Sequence, residues 1–306
     1  MQSVYSVFLF VFFLFYQPGQ DSTRVDSLKA DADTTIVDTT QKVLKVEPDS
    51  QKKVIRVPRA ANIPFKIGEQ LTFAIRYGFI RAGTATMTVK GETAVRGNPV
   101  YHIQTTAESA AGFSWFYKVD DVIDSYMDKG GLFSWKFDKR LREGSYKIDL
   151  LIDYNPQDTL ASVDFTRYDR RMRVEEESKY NVLAPPYAYD VLAAFYYTRT
   201  HELEIGKSIS IVNHDHKKVY NLLVKVHRRE TIETDAGKFR CLVVEPLLQG
   251  EGIFQQKGRL VVWMTDDKFK IPVQMESEVA VGSITAELEE ISGINEAIPA
   301  MIARNE

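Results

Sequence analysis

The sequence predicts a mainly β protein, with an antiparallel sheet curled into a half-barrel or barrel and one packed α-helix. Three observations carry that expectation. Apolar and polar residues alternate with period two in one segment after another, as half-buried strands require. Turns bearing glycine separate the segments. The 306 residues include 17 Phe, 15 Tyr and 3 Trp, an aromatic load that suits sheets. Many strands with one helix cannot stay flat and open, because strands twist and exposed edges invite aggregation.

In chain order, residues 1–20 carry no charged side chain, and the stretch from Val4 to Tyr16 is almost wholly apolar. That run is shorter than the ~20 residues that cross a bilayer. Residues 1–20 therefore read as a signal peptide or an apolar anchor, broken by Pro18-Gly19. Export follows, to the periplasm or to the outer membrane. Residues 21–63 read as a flexible polar linker, rich in Asp, Ser and Thr at first and more basic later. Such a stretch buries too little apolar surface to offset its ordering entropy.

The β-rich domain is expected over 64–293. Leu71, Phe73, Ile75 and Tyr77 share one face of a strand, and Ala85, Met87 and Val89 alternate with threonines. Tyr146, Ile148, Leu150, Ile152 and Tyr154 alternate with Lys147, Asp149 and Asp153, and Ile284, Ala286 and Leu288 repeat the pattern near the end. Further strands are expected near 100–108, 131–142, 159–165, 207–212, 217–228, 239–246, 258–265 and 272–281. Turns fall at Arg96-Gly97-Asn98-Pro99, Lys129-Gly130-Gly131 and Asp235-Ala236-Gly237-Lys238. One segment reads as helix. Pro185-Pro186 bars an earlier start, Asp190 caps it, and Leu192, Phe195, Tyr196 and Arg199 fall at helical spacing. The tail 294–306 holds few core residues and is expected to fray.

Composition narrows function. Lys+Arg 39 against Asp+Glu 42 gives a net charge of -3, which argues against a nucleic-acid partner. Cys241 is the only cysteine, so no intramolecular disulfide and no cysteine-rich zinc site can form. No cysteine stands directly after the apolar run, which excludes acylation as a bacterial lipoprotein.

The ordered set Gly68-Glu69-Gln70-Leu71-Thr72-Phe73, Arg81-Ala82-Gly83-Thr84-Ala85, Asp124-Ser125-Tyr126 and Arg140-Leu141-Arg142-Glu143-Gly144-Ser145-Tyr146 continues through Asp190 to Arg199. It ends with Glu233-Thr234-Asp235-Ala236-Gly237-Lys238-Phe239 and Val262-Trp263-Met264-Thr265-Asp266-Asp267. Together these segments resemble the exported bacterial proteins called DUF3108, over roughly 64–291. The resemblance implies an envelope protein of Gram-negative-type bacteria with a β-rich fold, and it implies no catalytic residues.

Several groups could carry chemistry. Asn213-His214-Asp215-His216 could offer two imidazoles to a metal, but it lies where a hairpin turn is needed, and zinc needs three or four ligands. No metal and no other cofactor is expected. Asp120, Asp121, Asp124 and Asp128 neighbour the strand of Arg140, Arg142 and Glu143. A glycosidase would use two such acids, one with a raised pKa. The favoured reading is a structural ion network of Arg140, Arg142, Glu143 and Asp124, with Asp190 and Arg199 at the helix, in which arginines depress the carboxyl pKa values. Arg167, Arg170, Arg171 and Arg173 face Glu175, Glu176 and Glu177, and are expected to be a self-neutralised hairpin tip rather than a phosphate or head-group site. Cys241 is expected to be buried in a strand. Phe113, Trp115, Phe116 and Tyr117 form either part of the core, the favoured reading, or an exposed lip.

The reading that follows is a non-enzymatic envelope protein that binds an apolar or amphipathic, lipid-like ligand in its curled sheet. Phe113, Trp115, Phe116, Tyr117 and Tyr196 are the candidate contacts. A structural or interaction module with an envelope protein partner, and a carboxylate-based hydrolase of envelope glycan, are the alternatives. A peripheral place at a membrane suits the first.

Overall fold

The computed structural model describes residues 59–156, 159–249, 259–278 and 282–303. The expected signal or anchor at 1–20 lies outside them, as does most of the expected linker. The first half of the sheet comprises β1 (Gln70–Tyr77), β2 (Ile80–Val95), β3 (Asn98–Ser109), β4 (Asp120–Asp128), β5 (Ser134–Glu143), β6 (Tyr146–Asn155), β7 (Leu160–Tyr168) and β8 (Val174–Leu183). A single helical turn, α1 (Ala111–Ser114), lies between β3 and β4, and the main helix α2 (Val191–Arg199) follows β8. The second half comprises β9 (Ser208–His214), β10 (Val219–Thr234), β11 (Gly237–Gln249), β12 (Leu260–Thr265), β13 (Pro272–Glu278) and β14 (Ser283–Ser292), with β15 (Met301–Ile302) at the end.

All strands join one antiparallel sheet. It runs from β8 in sequence order down to β1, crosses to β14, and runs down again to β9. The first and last long strands are therefore neighbours at its centre, with Phe73 opposite Leu288 and Ile75 opposite Ala286. A sheet this wide cannot remain flat. Its two ends approach through the segment after β8. Tyr189 forms a parallel bridge to Asn213 of β9, the Tyr180 hydroxyl donates to the His216 carbonyl at 3.2 Å, and the Phe165 ring stacks on His216 at 5.8 Å. The expected curled, mainly β fold with one packed helix is what the chain forms.

The inner face is apolar by alternation: Leu71, Phe73 and Ile75 on β1, Ile148, Leu150 and Ile152 on β6, and Ile284, Ala286 and Leu288 on β14 are all buried. Asp190 caps α2 as expected, its carboxylate accepting from the amides of Leu192 and Ala193 at 2.9 Å and from the hydroxyls of Ser125 and Ser134 at 2.7 and 2.6 Å. Burial nevertheless pushes this carboxyl above its ordinary range. At the other end of α2, buried Arg199 donates to both oxygens of buried Glu69, at 2.6 and 3.0 Å. The helix is thus clipped to β4 and β5 by one terminus and to the entry of β1 by the other.

Some element expectations change. Strand β4 arises where acidic residues dominate, and β8 arises where a hairpin tip was expected. The tail does not fray over 294–303. Ile294 and Ile298 pack on the core, Ala300 is fully buried, and β15 pairs with β11. The physical reason is that the tail backbone is bonded: the Arg240 amide donates to the Ala300 carbonyl at 2.9 Å, and the Ala300 amide donates to Asp267 Oδ2 at 3.0 Å. Ordered packing also begins before Pro64. The Ala60 amide donates to the Gly130 carbonyl at 2.8 Å, and Ile63 packs on the core.

Candidate functional site

Antiparallel pairing places four connections along one end of the β1–β8 half: 78–79, 110–119, 144–145 and 169–173. The connection 110–119 is the aromatic segment. It leaves β3 where the Ala110 amide donates to the Ala82 carbonyl at 2.8 Å. Ser109 and Ser114 then pin the turn, their hydroxyls 3.0 Å apart, and the Val119 amide donates to Ser109 Oγ at 3.0 Å. Tyr117 turns inward and is buried over Gly144, where a Cβ would meet its ring at 2.8 Å. Gly144 also has φ +55, so glycine suits it twice. Phe113 is half-buried on the core.

Trp115 and Phe116 do the opposite. They are 84% and 57% exposed, which corrects the core reading for these two residues. Tyr117 closes the turn underneath them, and the Phe116 ring packs edge-on to half-buried Phe113 at 5.8 Å and against Trp115 at 6.1 Å. Tyr196 is not part of this group. It is fully buried, edge-on to Phe65 at 4.9 Å and beneath the Arg199 guanidinium at 5.1 Å. The expected five-residue contact set therefore divides into an exposed lip of Trp115 and Phe116, half-buried Phe113, and two buried tyrosines, Tyr117 and Tyr196.

Beneath the lip lies a group that sequence reasoning placed wrongly. Val119 bridges Glu143, and the Gly144 amide donates to the Lys118 carbonyl at 2.8 Å. That register turns Asp121 and Glu143 to the inner face as diagonal neighbours, 2% and 1% exposed. Glu143 pairs with no arginine. It shares a hydrogen bond with Asp121, while its Oε2 has no hydrogen-bond partner among the described residues. Burial and the neighbouring carboxylate hold the Glu143 carboxyl well above its ordinary range, and burial raises Asp121 to about 6 although the Arg142 amide donates to it at 2.7 Å. The expectation that arginines depress these carboxyls fails because the arginine side chains point to the other face of the sheet.

Polar character continues along the inner face. Buried Lys139 lies among Asp215, Glu143 and Asp121, with its ammonium pKa lowered mainly by burial. The His214–His216 segment does form the expected turn, with the Asp215 amide donating to the Lys218 carbonyl at 2.9 Å. Both histidines are buried, however, against Tyr154 and Phe165. Burial lowers His214 to about 4. Burial works against the charge of Asp215, but His216 and Lys139 hold its carboxyl below the ordinary range. Among the described residues, no three His, Cys, Asp or Glu side chains are gathered as metal ligands.

The outer face carries the rest of the expected network, as separate pieces. Asp124 accepts from Arg140 at 3.0 Å, from Gln104 at 2.9 Å, and lies 2.7 Å from His102 Nε2, whose ring stacks on Tyr126. Arg142 pairs with Asp149 at 2.6 Å. The Asp190 and Arg199 contacts belong to α2, away from both. At the tip 169–173, Arg173 pairs with Asp169 and Arg167 with Glu176, but Arg170 and Arg171 form no ion pair among the described residues, so self-neutralisation is partial. Cys241 is buried, and burial pushes its thiol up to about 12, which removes it as a nucleophile. A groove of about 180 Å³ on the outer face of β10–β13 is lined by Arg228, Arg259, Val261, Trp263, Glu276 and Glu278, a polar set unlike an apolar ligand cavity.

No curated protein matches the chain. Among solved structures, a β-barrel-like protein of domain of unknown function DUF1849 from Brucella abortus is similar at 10% identity and TM-score 0.48, covering 74% of this chain and 97% of that one. A protein with YmcC-like fold from Bacteroides fragilis NCTC 9343 is similar at 14% identity and TM-score 0.33, covering 75% and 97%. The model of the family DUF3108, described as proteins of unknown function, matches residues 72–289, which include β1 to β14 almost whole, the lip and the buried acid pair, and the chain therefore belongs to DUF3108.

Proposed function

We propose that this chain is a non-enzymatic protein of the cell envelope that engages an apolar or amphipathic, lipid-like molecule with the lip at Trp115 and Phe116. One observation carries the reading. Two large aromatic side chains stand exposed on a turn whose flanks are fixed by Tyr117, Ser109 and Ser114. A pinned turn keeps aromatics in water only at a continuing hydrophobic cost, which an apolar contact removes. The uncharged apolar run at 4–16 supports the envelope location.

Fluorescence tests it directly. Trp135 and Trp263 are buried, so Trp115 dominates the solvent-sensitive emission. Titration with a monomeric lysophospholipid should shift that emission to the blue and protect it from acrylamide. Unchanged emission, or an equal response in Trp115→Ala, would remove the lip from the reading.

A hydrolase reading gains one observation, the raised carboxyls of Asp121 and Glu143, but both sit beneath the lip and out of contact with solvent. Sugar release from cell-wall fractions by the wild-type chain, lost in Glu143→Gln, would establish it.

A further inference from the structure

The lip is one part of a longer rim, and the rest of that rim is basic. The hairpin connection 78–79 presents Phe79, 93% exposed, next to exposed Ile80. Two strand positions further along comes the lip with Trp115, Phe116 and exposed Lys118. The connection 169–173 follows, with Arg170, Arg171, Met172 and Arg173 all exposed and Val174 exposed beside them. Adjacent strands lie ~4.8 Å apart, so six strand spacings separate these outer tips by roughly 29 Å along the sheet. Lys147 ties the row together by donating to the Arg170 carbonyl at 2.9 Å.

Charge on the rim runs against that of the chain. Across the four connections, Lys118, Arg170, Arg171 and Arg173 face a single carboxylate, Asp169, a net charge of +3 in a chain whose net charge is -3. Asp169 is already engaged by Arg173 and by the amides of Arg171 and Arg173. Arg170 and Arg171 keep their charge without an ion partner among the described residues. The opposite end of the same strands is built otherwise: the connection 129–133 turns its large residues Leu132 and Phe133 fully inward.

Exposed aromatics at protruding tips, interleaved with unpaired arginines and lysine, match an interface with apolar depth and anionic surface. We infer that this rim docks on the surface of an anionic phospholipid bilayer, with Phe79, Trp115 and Phe116 entering the interface and Lys118, Arg170 and Arg171 facing lipid phosphates. The inference rests on the lipid-facing reading of the lip and adds its occupant.

Sedimentation of the full chain with vesicles tests it, using phosphatidylcholine alone and phosphatidylcholine mixed with phosphatidylglycerol. All variants carry the same N-terminal run, so differences among them report the rim. The wild type should prefer the anionic vesicles, shift Trp115 emission to the blue on binding, and lose affinity as salt rises. Arg170→Gln with Arg171→Gln should weaken binding about thirty-fold, the equivalent of about 1 kcal/mol for each cation removed. Trp115→Ala with Phe116→Ala should weaken binding to the same vesicles, and an unchanged melting temperature confirms that both variants fold. Equal binding to the two vesicle types, or arginine variants that bind as the wild type does, would overturn the inference. Refusal of both vesicles overturns it too: with a response to monomeric lysophospholipid it leaves the ligand reading standing, and without one it takes that reading down as well and leaves the rim to a protein partner. Vesicle binding without a monomer response upholds the bilayer and discards the single-molecule ligand.

Discussion

Two buried ionisable pairs lie on the inner side of one sheet and solve the same problem in opposite ways. Glu69 and Arg199 are opposite in charge, bidentate and wholly removed from water. Asp121 and Glu143 are alike in charge, equally removed from water, and hydrogen-bonded to each other, with burial raising both carboxyls above their ordinary range. Burial penalises an isolated charge, and a partner of opposite sign offsets that penalty. Where the partner has the same sign, the cheaper course is to neutralise one member. The first pair therefore fixes α2 by opposite charge, whereas the second is tied to proton activity beneath an exposed aromatic turn.

The largest effect should come from breaking the first pair. Glu69→Ala strands the Arg199 guanidinium in the core and should cost ~3–5 kcal/mol in chemical denaturation. The double change Glu69→Leu with Arg199→Met removes both charges and should recover most of that loss. If the single and double variants unfold at the same denaturant concentration, the pair holds nothing.

The second pair should show itself in the pH dependence. Carboxyls whose folded pKa is raised bind protons more tightly in the folded chain than in the unfolded one. Their stabilisation is present at low pH and is lost as pH rises from about 4 through about 6. A shift of that size corresponds to roughly 2–3 kcal/mol. His214 has the opposite slope. Its folded pKa is lowered to about 4, so stability falls as pH drops from about 6.5 towards 4. The two slopes overlap and oppose each other. Melting temperatures between pH 4 and 7 should therefore vary little in the wild type, rise with pH in Asp121→Asn, and fall with pH in His214→Gln. Parallel profiles for the three proteins would contradict the assigned protonation states.

The smallest effect belongs to the outer face. Arg140 is about half exposed where it meets Asp124, and surface pairs contribute about 0–1 kcal/mol. Arg140→Ala should shift the denaturation midpoint by no more than that, and a loss matching Glu69→Ala would place Asp124 among the buried pairs.

These pairs also show what the sequence makes legible. The inner face of β1, β6 and β14 could be read by alternation because every inward position there is apolar. On β5, Lys139 and Glu143 fall in phase with Phe137 and Leu141, and on β4 Asp121 falls in phase with Val119 and Ile123. That phase was the available signal for the acid pair, and it was masked by the arginines at 140 and 142, which are adjacent in sequence but on the opposite face. Strand β8 was illegible for a different reason. As an edge strand it is exposed on both faces over Val174–Glu177 and turns only Tyr180 and Val182 partly onto the core, so Glu175, Glu176 and Glu177 leave no period to read there. The lip was legible as a choice between core and surface, and its division depended on Tyr117 alone turning in over Gly144. The α2 cap was legible outright, because Asp190 and the preceding prolines act locally.

The adjacency of β1 and β14 has a consequence for how the chain comes together. Apart from the short β11–β15 pairing, every other strand ladder joins sequence neighbours, so each half can grow as a succession of hairpins with little loop-closure entropy. The central ladder alone must wait for both ends of the domain to arrive. Until it forms, the leading strand presents an unpaired edge carrying Leu71, Phe73 and Ile75, while the rest of its half is already built. Assembly is therefore gated by one long-range encounter, and the time between synthesis of residue 77 and residue 284 is the interval in which this chain is most open to sticking to another copy of itself.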